Sequence, residues 1–172
     1  GGIVGTNYGQ IRNCANQGAL KAYCPYFDHM PTTGYVGGVA GRNYGSVEHC
    51  YNVGSCTIDN PRISENAGIC NGNKAVNSYY LNSIENAYGG RTAEQFTSGR
   101  VAFELNSGNT EGEPIWYQSL DNGQTPDAYP HLTAGEDTVV YQTADGTYSN
   151  VPMIGGTRPP TSETTKPTTT AK

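Results

Sequence analysis

One stretch of eighteen residues occurs twice in this chain. GGIVGTNYGQIRNCANQG at 1–18 returns as GGVAGRNYGSVEHCYNVG at 37–54, identical at nine of eighteen positions. The shared residues are glycines (Gly1/Gly37, Gly2/Gly38, Gly5/Gly41, Gly9/Gly45, Gly18/Gly54), asparagines (Asn7/Asn43, Asn16/Asn52), Tyr8/Tyr44 and Cys14/Cys50. A third, decayed copy, AGICNGNKAVNSYYLN, runs over 67–82, with Gly68, Ile69, Asn73, Val76 and Tyr80 in register after one deletion. A unit this short cannot bury its own apolar face, so copies recurring at this spacing are expected to stack on one another.

The residue types say what each copy forms. Ile3-Val4, Ile11, Val39, Val47 and Val76 are short β-branched stretches bounded by Gly and Asn, the pattern of short strands and tight turns. The NYG triplets are expected to bend with positive φ at Asn and Gly, and His49, in the slot of Asn13, is read as a turn residue. No stretch of 1–90 carries an apolar stripe of helical period. The expected fold is mainly β: a short right-handed β-solenoid of about three coils. Ile3, Val39 and Ile69 would stand in one column and Cys14, Cys50 and Tyr79 in another.

The two strong copies resemble GLUG repeats, G-G-[LIV]-V-G-x-N-x-G-x-[IV]-x-N-C-[YA], a motif of bacterial surface and secreted proteins that also occurs in adhesin-like proteins and beside peptidase domains such as those cleaving immunoglobulin A. Ala40 and Cys70 depart from the usual Val, and His49 from the usual Asn. The resemblance implies a non-catalytic role on the cell exterior and supplies no catalytic residues.

The chain changes character after residue 90. Thr92 and Gln95 form a capping pair, and Val101 and Leu105 share a face, which predicts a helical segment over 93–105, broken at Ser98-Gly99. IWYQSL and DTVVYQTADGTYSNVPMI read as strands, with turns at Asn122-Gly123 and Asp145-Gly146. This run is similar to a segment that follows such repeats in surface proteins of gut Firmicutes. Residues 91–154 are therefore expected to form a small α+β C-terminal cap bearing Phe96, Phe103, Leu105 and Trp116. The Thr- and Pro-rich residues 155–172 are expected to be a disordered linker to further modules of a larger protein.

Composition removes some functions. A net charge of -5 with no basic cluster gives no surface for tracking phosphates, so nucleic acid is not an expected partner. No apolar run reaches the roughly 20 residues of a membrane helix, so no membrane insertion is expected. Five cysteines, Cys14, Cys24, Cys50, Cys56 and Cys70, match no zinc spacing. Cys14 and Cys50 are read as buried thiols, and a Cys24–Cys56 bridge stays open.

Three sites can be sketched from the residues. The insertion over 21–36 concentrates Tyr23, Tyr26, Phe27 and Tyr35, and exposed aromatic faces on a loop suit sugar rings or peptides; these four are the candidate ligand residues. Cys24, Asp28 and His29 form no patterned metal set. The acids Glu111 and Glu113, or Asp121 and Asp127, lie in turn-rich loops that offer no apolar pocket for a glycosidase pair, and DNGQTPD lacks the spacing of an EF-hand. No cofactor, metal or enzymatic activity is expected. The expected role is an extracellular or cell-surface scaffold or adhesion module, bacterial, meeting a glycan or host-surface ligand, or else a carbohydrate-binding accessory module of a degradative enzyme.

Overall fold

The computed structural model describes residues 1–23, 34–59, 64–108, 113–135 and 138–158. It divides into two compact units, Gly1–Phe96 and Thr97–Lys172. The described residues are mainly β, with two short α-helices, one 3-10 turn at Asp121–Gly123 and no closed barrel.

The first unit is built from the repeats. Copy one contributes β1 (Val4–Asn7), β2 (Gln10–Arg12), β3 (Ala15–Asn16) and β4 (Leu20–Ala22). Copy two contributes β5 (Gly34–Gly37), β6 (Ala40–Asn43), β7 (Ser46–Glu48), β8 (Tyr51–Asn52) and β9 (Cys56–Ile58). The third contributes β10 (Ser64–Ala67), β11 (Cys70–Gly72) and β12 (Tyr79–Leu81), followed by β13 (Gly90–Arg91). Strands of successive copies pair in parallel, giving the orders β1-β6-β11, β2-β7, β3-β8-β12-β13, β4-β9 and β5-β10. Between copies one and two the register is 36 residues throughout: Val4↔Ala40, Ile11↔Val47, Ala15↔Tyr51, Leu20↔Cys56.

That register places like side chains side by side, and the interior follows. Val39, Ala40, Val47, Cys50 and Ile69 form a buried cluster, against which Val4, Ile11, Cys14, Cys70, Ala75 and Tyr80 pack. Two asparagine positions stack as amide ladders. Asn7 Nδ2 donates to Asn43 Oδ1 at 2.7 Å, and Asn16 Nδ2 to Asn52 Oδ1 at 2.7 Å. Three of the four amides are also tied to their own turns: Gly9 N–H donates to Asn7 Oδ1, Gly18 N–H to Asn16 Oδ1 and Gly54 N–H to Asn52 Oδ1. The ladder amides are thereby paired, as a buried amide requires, while the Ser46 hydroxyl is buried without a hydrogen-bond partner among the described residues.

Several expectations need correcting. Ile3 does align with Val39, but it is 46% exposed while Val39 is fully buried, because the first copy has no described copy on its outer side. The partner of Cys50 in the third copy is Ser78, not Tyr79, since Tyr79 pairs with Tyr51 and Ser78 Oγ accepts the Cys50 N–H at 3.1 Å. The third copy drops two residues rather than one. Its offset from copy two is 30 at Cys70↔Ala40, 29 at Gly72↔Asn43 after a bulge, and 28 from Val76↔Glu48 onward. Asn73 therefore misses the asparagine column, and Asn43 Nδ2 donates instead to the Asn73 carbonyl at 3.1 Å.

The turns also differ from expectation in one place and agree in another. Asn13, His49 and Asn77, equivalent in the three copies, have φ of 52°, 54° and 43°, so His49 holds the turn slot of Asn13. The NYG triplets do not use positive φ. Their glycine is needed for proximity: a Cβ on Gly45 would lie 2.0 Å from the Gly9 carbonyl oxygen.

The junction at 92–106 matches the sequence reading. Thr92 N–H donates to Gln95 Oε1 at 2.9 Å and Gln95 N–H returns to Thr92 Oγ1, the reciprocal cap that opens α1 (Ala93–Thr97). Phe96 meets Tyr51 edge-on at 5.9 Å. Gly99, at φ 86°, separates α1 from α2 (Arg100–Leu105). In the second unit, Ala102, Leu120 and Val140 pack with Phe103 and Tyr148. Asn106, fully buried, accepts from Ile115 and Trp116 N–H and donates to the Ala102 and Trp116 carbonyls. The expected strand at IWYQSL is reduced to a bridge, Tyr117↔His131, because Asn106 occupies the Trp116 backbone that a ladder would have used. The hairpin around Asp145-Gly146 is present as β14 (Tyr141–Gln142) and β15 (Tyr148–Ser149). Thr157 pairs with Gln142, and Arg158 bonds Glu113 at 2.6 Å, so the described start of the Thr/Pro segment is tied to this unit. Residues 159–172 lie outside the described residues.

Two substitutions test this account. Asn52→Ala strands the Asn16 amide and the Gly54 N–H, and urea denaturation should show a loss of about 2–4 kcal/mol. Gly45→Ala should lower the urea midpoint, because the added carbon meets backbone, whereas Gly9→Ala, with nothing nearer than 4.0 Å, should stay within about 0.5 kcal/mol of the parent.

Candidate functional site

The repeat sets two tyrosines one above the other. Tyr8 and Tyr44 stack with centroids 5.1 Å apart and planes 10° from parallel, and both are exposed. Their turns are locked by Tyr44 N–H to the Asn7 carbonyl at 2.8 Å. The exposed Arg42 extends the row, its guanidinium carbon 4.8 Å from the Tyr44 centroid and 4.6 Å from that of Tyr35. The result is a strip of three rings and one cation along the flank of the stack. Each exposed contact of this kind contributes roughly 0.5–1 kcal/mol, so the strip is held mainly by the backbone beneath it.

Of the four ligand residues expected from sequence, Tyr35 lies in this strip. Tyr23 is exposed just beyond β4, and Tyr26 and Phe27 lie outside the described residues. Tyr8, Tyr44 and Arg42 were legible only through the repeat: stacked copies put both NYG tyrosines in one column. Of the remaining expectations on the insertion, Cys24, Asp28 and His29 lie outside the described residues, and with Cys24 so does one half of the Cys24–Cys56 bridge.

A second concave feature lies within the first unit. A cleft of about 1000 Å³ is floored by third-copy residues Ile69, Cys70 and Ala75, with Tyr80, Tyr88 and Lys74 among its walls. Asn86, also in its lining, donates to the Tyr80 hydroxyl at 3.1 Å and accepts from Tyr88 and Gly90 N–H. Arg91 lies 4.5 Å over the Tyr79 ring. The cleft has aromatic, amide and cationic groups for binding. Its one thiol, Cys70, is pushed up from the ordinary thiol range by burial, which keeps it protonated and a poor nucleophile.

The carboxylates weighed as catalytic are engaged elsewhere. Asp121 bonds the Thr125 N–H and hydroxyl, Asp127 accepts from Ser119 N–H and contacts His131, and Glu113 pairs with Arg158. Glu111 lies outside the described residues. Among the described residues no three His, Cys, Asp or Glu side chains group as a metal site, and no helix is long and apolar enough to cross a membrane.

Stacked copies of a Gly/Asn/Tyr pattern, presenting an exposed aromatic flank, define a repeat protein. A family model described as the GLUG motif matches residues 32–59, which spans copy two, so this part of the chain is a GLUG-motif region. Comparison with curated proteins and with solved structures gives no match.

The cysteine column offers a chemical test. Cys50 is fully buried beside Cys14, and burial pushes its thiol up to about 12. A thiol whose value is raised by folding contributes stability that is intact at neutral pH. That contribution is lost as pH rises from the unfolded thiol range, near ~8.5, towards that value. Iodoacetamide at pH 8 should therefore modify the partly exposed Cys14 and leave Cys50 untouched until urea unfolds the chain, as read by peptide mass spectrometry.

Proposed function

We propose that the three copies form a short right-handed β-solenoid and that the chain acts as a non-catalytic scaffold and adhesion module within a larger bacterial surface or secreted protein. The observation that supports this most is the unbroken 36-residue register between copies one and two, carried over four strand pairs and two buried amide ladders. Such a stack is stiff because neighbouring strands share every ladder bond and the interior amides are locked by their own turns. Stiffness suits a part that holds a surface in place. The GLUG-motif region and the Thr/Pro-rich C-terminal segment agree with an extracellular setting.

A second reading has its own support. The Tyr8–Tyr44–Arg42–Tyr35 strip offers an exposed ring face and ring edges on a rigid base, which suits a carbohydrate-binding accessory module. Beads coated with the chain should adhere to host-cell or cell-wall preparations without turning over any polysaccharide or peptide substrate; turnover by the purified chain would remove both readings. A glycan array separates them. Binding that falls at least about tenfold in Tyr8→Ala and Tyr44→Ala supports the carbohydrate reading, and the absence of any glycan signal leaves the scaffold reading alone.

A further inference from the structure

Arg42 stands apart from the other described arginines. Arg12 pairs with Glu48, Arg91 with Glu85, Arg100 with Glu104 and Arg158 with Glu113. Arg42 is exposed and meets no carboxylate and no hydrogen-bond acceptor among the described residues. Its side-chain contacts are the rings of Tyr35 and Tyr44. Stacking does not require a cation there, since the residues in register with it are Thr6 in copy one and Asn71 in copy three.

The strand beneath fixes where the guanidinium stands. Gly41 and Asn43, on either side of Arg42, are buried, and the Asn43 amide takes the ladder bond from Asn7 at 2.7 Å. Ring contacts engage the π surface of a guanidinium and leave its N–H groups, which lie in its plane, for another partner. The phenol hydroxyls of Tyr8, Tyr35 and Tyr44 also meet no partner among the described residues. The strip therefore presents a fork of N–H donors and three hydroxyls, with no acid of its own to satisfy them.

Within the carbohydrate reading above, on which this depends, we infer that the strip selects glycans that carry carboxylates, chains of uronic-acid type, over neutral ones. A carboxylate matches the planar guanidinium fork with two parallel N–H···O bonds. Successive elements of the strip lie 4.6–5.1 Å apart, comparable with the length of one pyranose residue. A sugar whose acid meets Arg42 thus sets its neighbours against the ring edges and hydroxyls of the tyrosines. General attraction cannot produce the selection, because the chain carries a net charge of -5 and repels polyanions at long range. The contact with Arg42 must supply it.

Calorimetric titration of the chain tests this with a galacturonic-acid trisaccharide and the same trisaccharide reduced from carboxyl to alcohol. The acid form should bind at least about tenfold more tightly, and Arg42→Gln should bring the two forms to within about twofold of each other. Arg42→Lys, which keeps the charge and loses the fork, should retain only part of the preference. Both variants should melt with the parent, since Arg42 is exposed. Raising the salt from about 0.1 M to about 0.5 M should weaken the acid form more than the reduced one. Equal binding of the two forms by the parent, or an array that shows neutral glycans alone, overturns the inference and leaves the carbohydrate reading standing. A preference that survives Arg42→Gln overturns it as well. So does equal affinity for a glutamate pentapeptide or for a sulfated trisaccharide, which would mark a site for acidic peptide or for charge alone. Binding of neither trisaccharide and of no glycan on the array removes the carbohydrate reading and the inference with it.

Discussion

The structure depends on one constraint: equal spacing between copies one and two, which lets every strand of one lie in register against its equivalent in the other. Register decides which residues meet. Once position 4 lies on position 40, asparagine must lie on asparagine, cysteine on cysteine and tyrosine on tyrosine. Apolar pairs of this kind bury area, but many alternative offsets could do that. The amide pairs are more selective, since an offset of one residue would leave two buried amides without partners, and each unsatisfied group costs about 1–3 kcal/mol. The ladders therefore contribute specificity at least as much as stability.

The third copy shows what happens when the spacing is lost. Each dropped residue shifts the columns, and the chain adapts locally: a bulge at Cys70/Asn71, a backbone carbonyl in place of the Asn73 amide, and Ser78 in place of a cysteine. Tyr80 takes the position of Asn52, and its ring lies against Gly68 as the Asn52 amide lies against Gly38. An aromatic ring cannot pass on an amide ladder. The interior also loses volume there, because Ala75 and Ser78 are smaller than the Val47 and Cys50 side chains they follow, and the cleft opens at this point.

Much of this was legible in the sequence because a repeat converts spacing into contact. The strands, the lack of helices among the described residues of 1–90, the column of Cys14 with Cys50, the turn at His49 and the capped, broken helix at 93–105 follow from residue type and position. The misreadings have physical causes. The NYG pattern marks Gly45 as a conformational glycine, yet only the neighbouring copy, 36 residues away, reveals the carbonyl that excludes a side chain. Ile3 was assigned to the interior as if each copy had neighbours on both sides. The split of the third-copy deletion into two steps could not be seen, since a decayed repeat carries too few fixed residues to place each gap. In the second unit, Trp116 sits in a stretch with strand propensity, and a single buried asparagine ten residues earlier takes its backbone bonds.

The same logic explains why the aromatic insertion reads as a site in the sequence and the NYG tyrosines do not. A loop rich in tyrosine is visible as a local concentration, whereas Tyr8 and Tyr44 each stand alone in the sequence and gain a neighbour only across 36 residues. Arg42 meets Tyr44 two residues on and, across the turn between strands, Tyr35 seven residues before it. In a protein assembled from stacked copies, a surface site is a property of the column and not of the copy. Its strength then grows with the number of copies that keep the residue. Tyr8 and Tyr44 keep it, and the third copy, whose asparagine Asn73 follows the Gly72 that pairs with Asn43, does not. The strip consequently ends where the ladders end, so the surface of this unit is limited by the same two deletions that limit its core.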